Sequence, residues 1–172
     1  MSNELRVVAD LMCIAARTAP KAAGQDFIVT AVVEGEACRE LGHAMIRYGE
    51  QSGKPNFDRD GKNVADSPIV VLIGLKDARP VGLNCGTCGS DKCIQPNTFQ
   101  GEFQGPQCAF RQLDMGIAIG SAVKTAGLLN VDNRIMYRAG TVARQMGLID
   151  ADFVMGIPLS VTGKSIYFDR KP

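Results

Sequence analysis

Residues 68–75, Pro-Ile-Val-Val-Leu-Ile-Gly-Leu, form the strongest strand signal in the chain. Because both faces of such a strand are apolar, it belongs in the centre of a buried sheet. Two further apolar runs, Phe27–Val33 and Phe153–Ile157, predict other strands, and we expect Pro158 to end the second of them. The stretch Ser165–Phe168 also has strand character, so its backbone groups need a partner as well.

Helices are predicted before and after these strands. Residues 4–17 and 36–48 each carry one apolar stripe at helical spacing, whereas residues 49–66 are polar and predict a surface loop. Residues 114–129 are apolar nearly all round and rich in small side chains, which indicates a buried helix with close neighbours. A last helix is expected over 132–147, from an N-cap aspartate to a C′ glycine. Together these elements predict an α+β fold, with a mainly buried sheet and packed helices.

Length and charge restrict the class of protein. A chain of 172 residues suits a single domain that spans residues 1–172. The formal net charge of +1 lacks the excess of basic residues expected of a protein that binds nucleic acid or an anionic membrane. No run of about 18 apolar residues would span a bilayer, and the N-terminus does not read as a secretory signal. We therefore expect a soluble cytoplasmic protein, whose six cysteines serve more often as ligands or catalytic groups than as disulfides.

Residues 76–113 form a long segment with little periodicity, which ordinary folds rarely leave without structure. We interpret it as a Cys/Gly-rich insertion that a metal centre holds in place. Two cysteines separated by two residues can bind one metal ion or two corners of one cluster, and Gly86 and Gly89 free the backbone to curl around the sulfur atoms. Four thiolates suit zinc and iron–sulfur clusters equally well. The candidate ligands are Cys85, Cys88, Cys93 and Cys108.

The spacing CGTCGSDKC of residues 85–93, followed by a distant Cys108, resembles the 4Fe–4S segment of the corrinoid iron–sulfur protein type, also found in electron-transport subunits of anaerobes. The chain departs from that segment because no proline follows Cys108 and the last spacing is slightly short. Residues 114–148 and 154–170 resemble a family of small prokaryotic proteins described as uncharacterised with a ferredoxin domain. The resemblance implies a 4Fe–4S cluster on the four cysteines. A structural zinc ion and four unligated core cysteines are the alternatives.

Residues 17–29, RTAPKAAGQDFIV, resemble the opening of flavin-dependent nitroreductases, in which a helix ends in an Arg/Ser pair and an Ala-Pro-Ser turn leads into a strand. That family also has a Gly-x-Pro strand end near the C-terminus, followed by a basic residue. Residues 156–158 and 163–164 of this chain are similar to these two features. Here Lys21 replaces the serine, and the chain has no tryptophan, which often follows the turn in that family. The resemblance implies a compact nitroreductase-like sheet and a site for flavin mononucleotide (FMN). The residues it assigns to FMN are Arg17, Thr18, Pro20, Lys21, Gly156, Pro158, Gly163 and Lys164.

The positive charges near this turn agree in part with an FMN site. A phosphate group is bound by cations, and the backbone must be able to approach it closely. The alternative is a helix terminus whose arginine interacts with the C-terminal dipole, in a fold that binds no flavin. Nitroreductase-like proteins also form extensive homodimers with flavin at the subunit interface. The small residues of 114–129 and the strand-like tail agree with a homodimer in which Arg17, Lys21 and Lys164 approach one phosphate.

Three other residues invite weaker predictions. His43, the only histidine, falls on the polar face of its helix, so a solvated side chain is expected and a His-based triad or zinc enzyme is disfavoured. Cys38 falls on an apolar stripe and predicts a buried thiol. Cys13 lies among charged residues, and we expect a partly buried, inert thiol there too.

The function expected from these patterns is redox chemistry at a 4Fe–4S cluster. Flavin-linked electron transfer, or reduction of a small substrate by a flavin/iron–sulfur oxidoreductase, would follow if FMN also binds, and a redox partner protein would exchange electrons with the cluster. The competing class is a zinc-stabilised structural or complex-assembly domain without catalysis. A dedicated electron carrier without its own substrate is the third alternative. The sequence names no substrate.

Overall fold

The computed structural model describes residues 2–168 of the chain, with the side chain of residue 2 left out. Five helices and six strands lie in this range, together with a short 3₁₀ turn at Ala22–Gly24. The helices are α1 (Ser2–Thr18), α2 (Glu36–Ser52), α3 (Phe57–Ala65), α4 (Ala109–Leu128) and α5 (Tyr137–Gln145). The strands are β1 (Ile28–Glu34), β2 (Ile69–Leu75), β3 (Phe99–Gln100), β4 (Gln104–Gly105), β5 (Asp132–Asn133) and β6 (Phe153–Ser160).

The main sheet has the strand order β1-β2-β6-β5, and every neighbouring pair is antiparallel. All seven residues of β2 are buried, which confirms its predicted place inside the sheet. The register defines two ends, since Leu75 of β2 lies opposite β1 and β6 at one end and Ile69 lies opposite them at the other. We call these the Leu75 end and the Ile69 end, because the candidate site residues divide between them.

Helices cover both faces of this sheet, which confirms the α+β prediction. On one face α1 packs against α4, and their apolar stripes meet β2 through residues such as Met12, Ile73 and Ala118. On the other face α2, α3 and α5 bury a second cluster around Leu41 and Phe57. Among the described residues, no helix is both long enough and apolar enough to cross a membrane.

The prediction of a surface loop over 49–66 is wrong. Helix α2 continues to Ser52, and α3 begins at Phe57 after a connection of four residues. Phe57 and Val64 of α3 are fully buried, and so is Asp60, whose carboxylate pairs with arginines. Because a buried aspartate and charged neighbours make the composition of this segment polar, its amphipathic helical pattern is not recognisable from the sequence.

The N-terminus of the last helix also differs from its prediction. Asp132 is not an N-cap but belongs to β5, opposite Ser160. Helix α5 begins only after Met136, whose backbone exchanges two hydrogen bonds with Gly156 (2.8 and 3.0 Å) and so continues the sheet. Gly147 follows the C-cap residue with φ +70°, which confirms it as the C′ glycine.

The predicted end of the last strand is corrected, and the tail is held within its own chain by a side chain. Strand β6 does not stop at Pro158, which stays in register opposite Val70, and it ends at Ser160. Within one chain, residues 165–168 pair with none of the described strands. Tyr167 is buried instead, and its hydroxyl lies 2.9 Å from the Ser67 hydroxyl. A side chain therefore anchors the tail to its own chain, and pairing of the tail with a second copy stays a prediction.

Candidate metal centre and the adjoining turn

All four candidate cysteines line one open cavity with about 330 Å³ of atom-free space. Cys85 and Cys88 are exposed, Cys93 is half-buried and Cys108 is buried. The rest of the wall is mainly apolar and includes Pro80, Val81, Leu83, Ile94, Ala109 and Phe110. Three sulfur atoms thus come from a loop at the surface, and the fourth comes from the protein interior.

The loop that carries the first three cysteines is shaped by residues with left-handed backbone. Gly86 (φ +73°) and Gly89 (φ +85°) take conformations that favour glycine, and the Gly89 N–H donates to the Gly86 carbonyl at 2.9 Å. Asn84 (φ +48°) lies just before the motif, and its side chain accepts a bond from the Cys93 N–H at 3.0 Å. The Asn84 N–H donates to the Cys93 sulfur at 3.4 Å. Sequence reasoning missed Asn84, although asparagine tolerates this backbone region better than most residues.

The fourth cysteine has a more rigid support. Cys108 is the N-cap residue of α4, and its carbonyl accepts bonds from the N–H groups of Arg111 (2.9 Å) and Gln112 (3.0 Å). The positive end of the α4 dipole therefore faces the cavity, where it favours an anionic thiolate-bound centre. Helix α4 begins at Ala109, five residues earlier than predicted, and this is what fixes Cys108.

The pKa of Cys85 is shifted in the opposite direction from the pKa values of Cys13 and Cys38. The side chain and the backbone of Thr87 hydrogen-bond to the Cys85 sulfur and lower the pKa of that thiol. Burial raises the pKa of Cys38 to about 12 and also raises the pKa of Cys13. Since the thiolate is the metal ligand, Cys38 and Cys13 are poor ligands, and the predicted buried state of Cys38 is confirmed.

A single zinc ion and a multi-iron cluster can both use four thiolate ligands, but they space the sulfur atoms differently. Within residues 2–168, no three or more His, Cys, Asp or Glu side chains are gathered closely enough to hold a single metal ion. A structural zinc ion needs four sulfur atoms at about 2.3 Å from one point. In a cubane cluster each thiolate binds a different iron atom, so the sulfur atoms stand farther apart around a larger volume. All four cysteines line one open cavity, and either centre would take its ligands from this set.

Asp152 anchors the base of the cysteine segment to the Leu75 end of the sheet. Its carboxylate accepts bonds from the Asp77 N–H at 2.7 Å and the Asn97 side chain at 2.9 Å. The Asp152 carbonyl accepts a bond from the Gln104 N–H at 2.8 Å, and Gln107 donates to Asn97 at 2.6 Å. The protein itself therefore orders the base of the segment.

The turn after α1 uses its charged residues differently from the prediction. The Lys21 side chain is only 5% exposed, and its ammonium group donates to the carbonyls of Ala16 (2.9 Å), Arg17 (2.6 Å) and Ala19 (2.8 Å). All three donors of Lys21 thus cap the C-terminus of α1. Arg17 is half-exposed and pairs with the Asp26 carboxylate at 2.9 Å. Thr18 donates its hydroxyl proton back to the Ile14 carbonyl at 3.0 Å.

The C-terminal half of the predicted flavin site lies elsewhere. Gly156 and Pro158 are buried in β6, and a Cβ atom on Gly156 would lie 2.7 Å from the Cβ of Ala139, so this glycine permits α5 to pack on the sheet. Gly163 and Lys164 follow β6 beyond the Ile69 end. The turn after α1 adjoins the Leu75 end, about 20 Å away along the strands. The eight residues therefore form no single site within one chain, and the prediction requires a second copy.

Two sequence comparisons agree with this picture. Residues 104–170 match the model of a family described as "Uncharacterized protein containing a ferredoxin domain (DUF2148)", a range that includes Cys108 but not the other three cavity cysteines. An uncharacterised protein from Archaeoglobus fulgidus is 47% identical over 171 residues, covering 98% of this chain and 92% of the archaeal protein.

Solved structures with a similar fold are flavin proteins. An FMN-dependent nitroreductase from Mycobacterium smegmatis, in complex with NADPH, superposes with a TM-score of 0.61 over 97% of this chain and 83% of its own, at 13% identity. A nitroreductase with bound FMN from Desulfitobacterium hafniense gives 0.60 over 92% and 78%, at 12% identity. Identities this low show the fold alone, and the predicted nitroreductase-like sheet is confirmed.

Proposed function

The chain belongs to this family of proteins with a ferredoxin domain, and from that premise we propose that it is a redox protein that holds one 4Fe–4S cluster. The observation that carries the proposal is the single cavity on which all four cysteines converge. When bound, such a cluster takes up and releases single electrons. The proposed ligands are Cys85, Cys88, Cys93 and Cys108, in an insertion over 76–113 of a single domain.

The chain's own residues have separate parts in this proposal. Cys108 and the first turn of α4 fix one corner and direct a helix dipole at it. The N–H of Asn84 donates to the Cys93 sulfur, and hydrogen bonds of this kind tune the redox potential of a cluster. Exposed Cys85 and Cys88 leave one edge of the centre open to a redox partner protein.

We further propose that the protein works as a homodimer. Exposed apolar side chains lie on both α1 and α4, and the two helices pack side by side, so the surface that these helices share is the proposed interface. On α4 this surface includes Gly116 and Gly120, and a Cβ atom on either would meet open space. We call it the α1–α4 surface, and a second copy of the chain is its proposed occupant. Its large apolar members are Val7, Leu11, Ile14, Leu113 and Ile117.

FMN is the second proposed cofactor, held between the two copies. The turn at 20–25 lies against α4, where the Ala22 N–H donates to the Asp114 carboxylate at 2.7 Å, less than two helical turns beyond Cys108. A flavin at this turn would therefore lie within electron-transfer reach of the cluster. Arg17 is the half-exposed cation of the turn, and only a second copy would bring the Gly163–Lys164 segment near it.

One set of measurements on anaerobically purified protein tests both cofactors. A broad absorbance band near about 400 nm with about four iron atoms per chain supports the cluster, whereas a colourless protein with zinc supports the structural domain. In an FMN titration, Arg17→Ala is expected to weaken affinity about tenfold, because it removes one charge-assisted phosphate contact. Arg39→Ala, an exposed cation on α2, is the matched control. FMN binding that is absent, or unchanged in Arg17→Ala, would remove the flavin site and leave the cluster proposal standing.

A further inference from the structure

Arg111 is a fully buried arginine in the first turn of α4, and no sequence pattern pointed to it. Its guanidinium group makes four hydrogen bonds and lies over the ring of Phe27, 4.8 Å from the ring centre. We call these contacts the Arg111 network. The hydrogen bonds run from Nε to the Arg79 carbonyl (2.8 Å), from one terminal nitrogen to the Ala22 carbonyl (3.0 Å) and the Asp114 carboxylate (3.0 Å), and from the other to the Gln25 side chain (2.5 Å).

Burial of the Arg111 network carries a large desolvation cost. A guanidinium group removed from water costs several kcal/mol unless a carboxylate neutralises it and its donors are satisfied. Asp114 supplies that charge with a side chain that is 6% exposed, and its other oxygen accepts the Ala22 N–H. Each partner of Arg111 is therefore held tightly in place, since moving one would leave a buried donor without an acceptor.

The partners come from three separate parts of the chain. Arg79 belongs to the base of the cysteine segment, and Ala22 and Gln25 form the turn after α1. Asp114 lies on α4, whose N-cap is Cys108, and the Arg111 N–H donates to the Cys108 carbonyl at 2.9 Å. One guanidinium group thus fixes the position of the cysteine cavity relative to the turn.

We propose that Arg111 is a positioning residue that couples the metal centre to the turn at 20–25. Filling the cysteine cavity further stabilises the base at Arg79 and the start of α4, which the protein already holds, and the Arg111 network transmits this added stability to the turn. Coupling between two sites is reciprocal, so a ligand at the turn stabilises the metal centre in return. The inference rests on the proposed metal centre and adds a regulatory link to it.

Amide hydrogen exchange of the apo and iron-loaded full chain tests this link without an activity assay. In the wild type, loading is expected to slow exchange at least about tenfold both in 84–93 and in 22–28. In Arg111→Met the slowing in 84–93 persists, whereas the change in 22–28 falls below about twofold. Arg111→Lys is expected to lose the coupling too, because an ammonium group cannot reach all four acceptors.

Arg138→Met is the matched control, since Arg138 also binds a buried carboxylate, that of Asp60 at 2.8 Å, but on the opposite face of the sheet. It should leave the slowing in 22–28 as large as in the wild type. Undiminished slowing in Arg111→Met, or no slowing at the turn of loaded wild type, would overturn the coupling.

Two further arms separate this inference from the metal proposal. If the wild type takes up no iron, the proposed function fails, but Arg111→Met must still speed exchange in both 79–83 and 22–28 of the apo protein. Faster exchange in only one of these stretches would overturn the coupling.

If Arg111→Met does not fold, Gln25→Ala takes its place, because it removes a single contact of the network. This variant must still weaken the response of 22–28 to iron loading. An unchanged response would overturn the coupling.

Discussion

The cysteine cavity and the turn after α1 both adjoin the first turns of α4, yet their candidate ligands are used in opposite ways. In the cavity, four cysteines line one shared space. At the turn, the Lys21 ammonium group is saturated by three backbone carbonyls, and Arg17 is paired with Asp26. A residue type at a suitable position is therefore not enough for a binding site, because the protein must also leave that group available for a ligand.

The largest expected effect is loss of the metal centre from the cavity. Replacing any one of Cys85, Cys88, Cys93 or Cys108 by Ala removes a quarter of the ligand set and should abolish or destabilise metal binding, as measured by iron content after anaerobic gel filtration. Cys38→Ala and Cys13→Ala are the controls, since neither cysteine lines the cavity. Full, non-labile metal content in Cys108→Ala would contradict the assignment of the fourth ligand.

The next effect concerns the α1–α4 surface, which the proposed flavin site at the turn requires. The double variant Leu113→Glu/Ile117→Glu places two charges on the exposed face of α4 and should convert the dimer to a monomer in light scattering. Met146→Glu is the control, because Met146 is as exposed as Ile117 but lies at the end of α5 on the other face of the sheet. A wild-type monomer, or a dimer that survives the double substitution, would exclude this interface.

A smaller effect tests whether Lys21 is structural. Lys21→Met leaves three carbonyls at the end of α1 without their donor and should lower the free energy of unfolding by about 1–3 kcal/mol in urea denaturation. Arg17→Met should cost only about 0–1 kcal/mol, because its ion pair is half-exposed. Equal losses in the two variants would contradict the distinction between a buried cap and a surface pair.

The smallest effect is a difference in thiol reactivity within the apo protein. Hydrogen bonds from Thr87 lower the pKa of Cys85, so its thiolate fraction, and with it the alkylation rate, should rise at a lower pH than for an ordinary thiol. Cys38, with a pKa raised to about 12, should stay unreactive throughout the neutral range. Mass spectrometry after iodoacetamide pulses across a pH series measures both. Thr87→Ala should move the Cys85 profile to higher pH, and an unmoved profile would remove Thr87 as the cause.

The parts of this structure that the sequence predicts correctly are local ones. The strand at 68–75 is apolar on both faces, so its buried position can be predicted without knowledge of distant contacts. Helix α3 is not predicted from the sequence, because its buried Asp60 pairs with Arg138, a residue that lies 78 positions later in the chain. Its polar composition therefore resembles that of a loop.

The supports of the candidate site were hidden for the same reason. Asp152 binds Asn97 across 55 residues, and Asp114 binds Ala22 across 92. No periodicity or spacing reports such pairs, since each residue alone is an ordinary polar side chain. The division of the predicted flavin residues between the two ends of the sheet likewise becomes visible only from the strand register.

The most direct test of the central claim is electron paramagnetic resonance of anaerobically purified wild-type protein before and after chemical reduction. We predict a paramagnetic signal of a reduced iron–sulfur cluster that integrates to about one per chain and is absent from Cys93→Ala. A protein that carries zinc in stoichiometric amount and shows no signal after reduction would contradict the cluster, and the cavity would then be a structural zinc site.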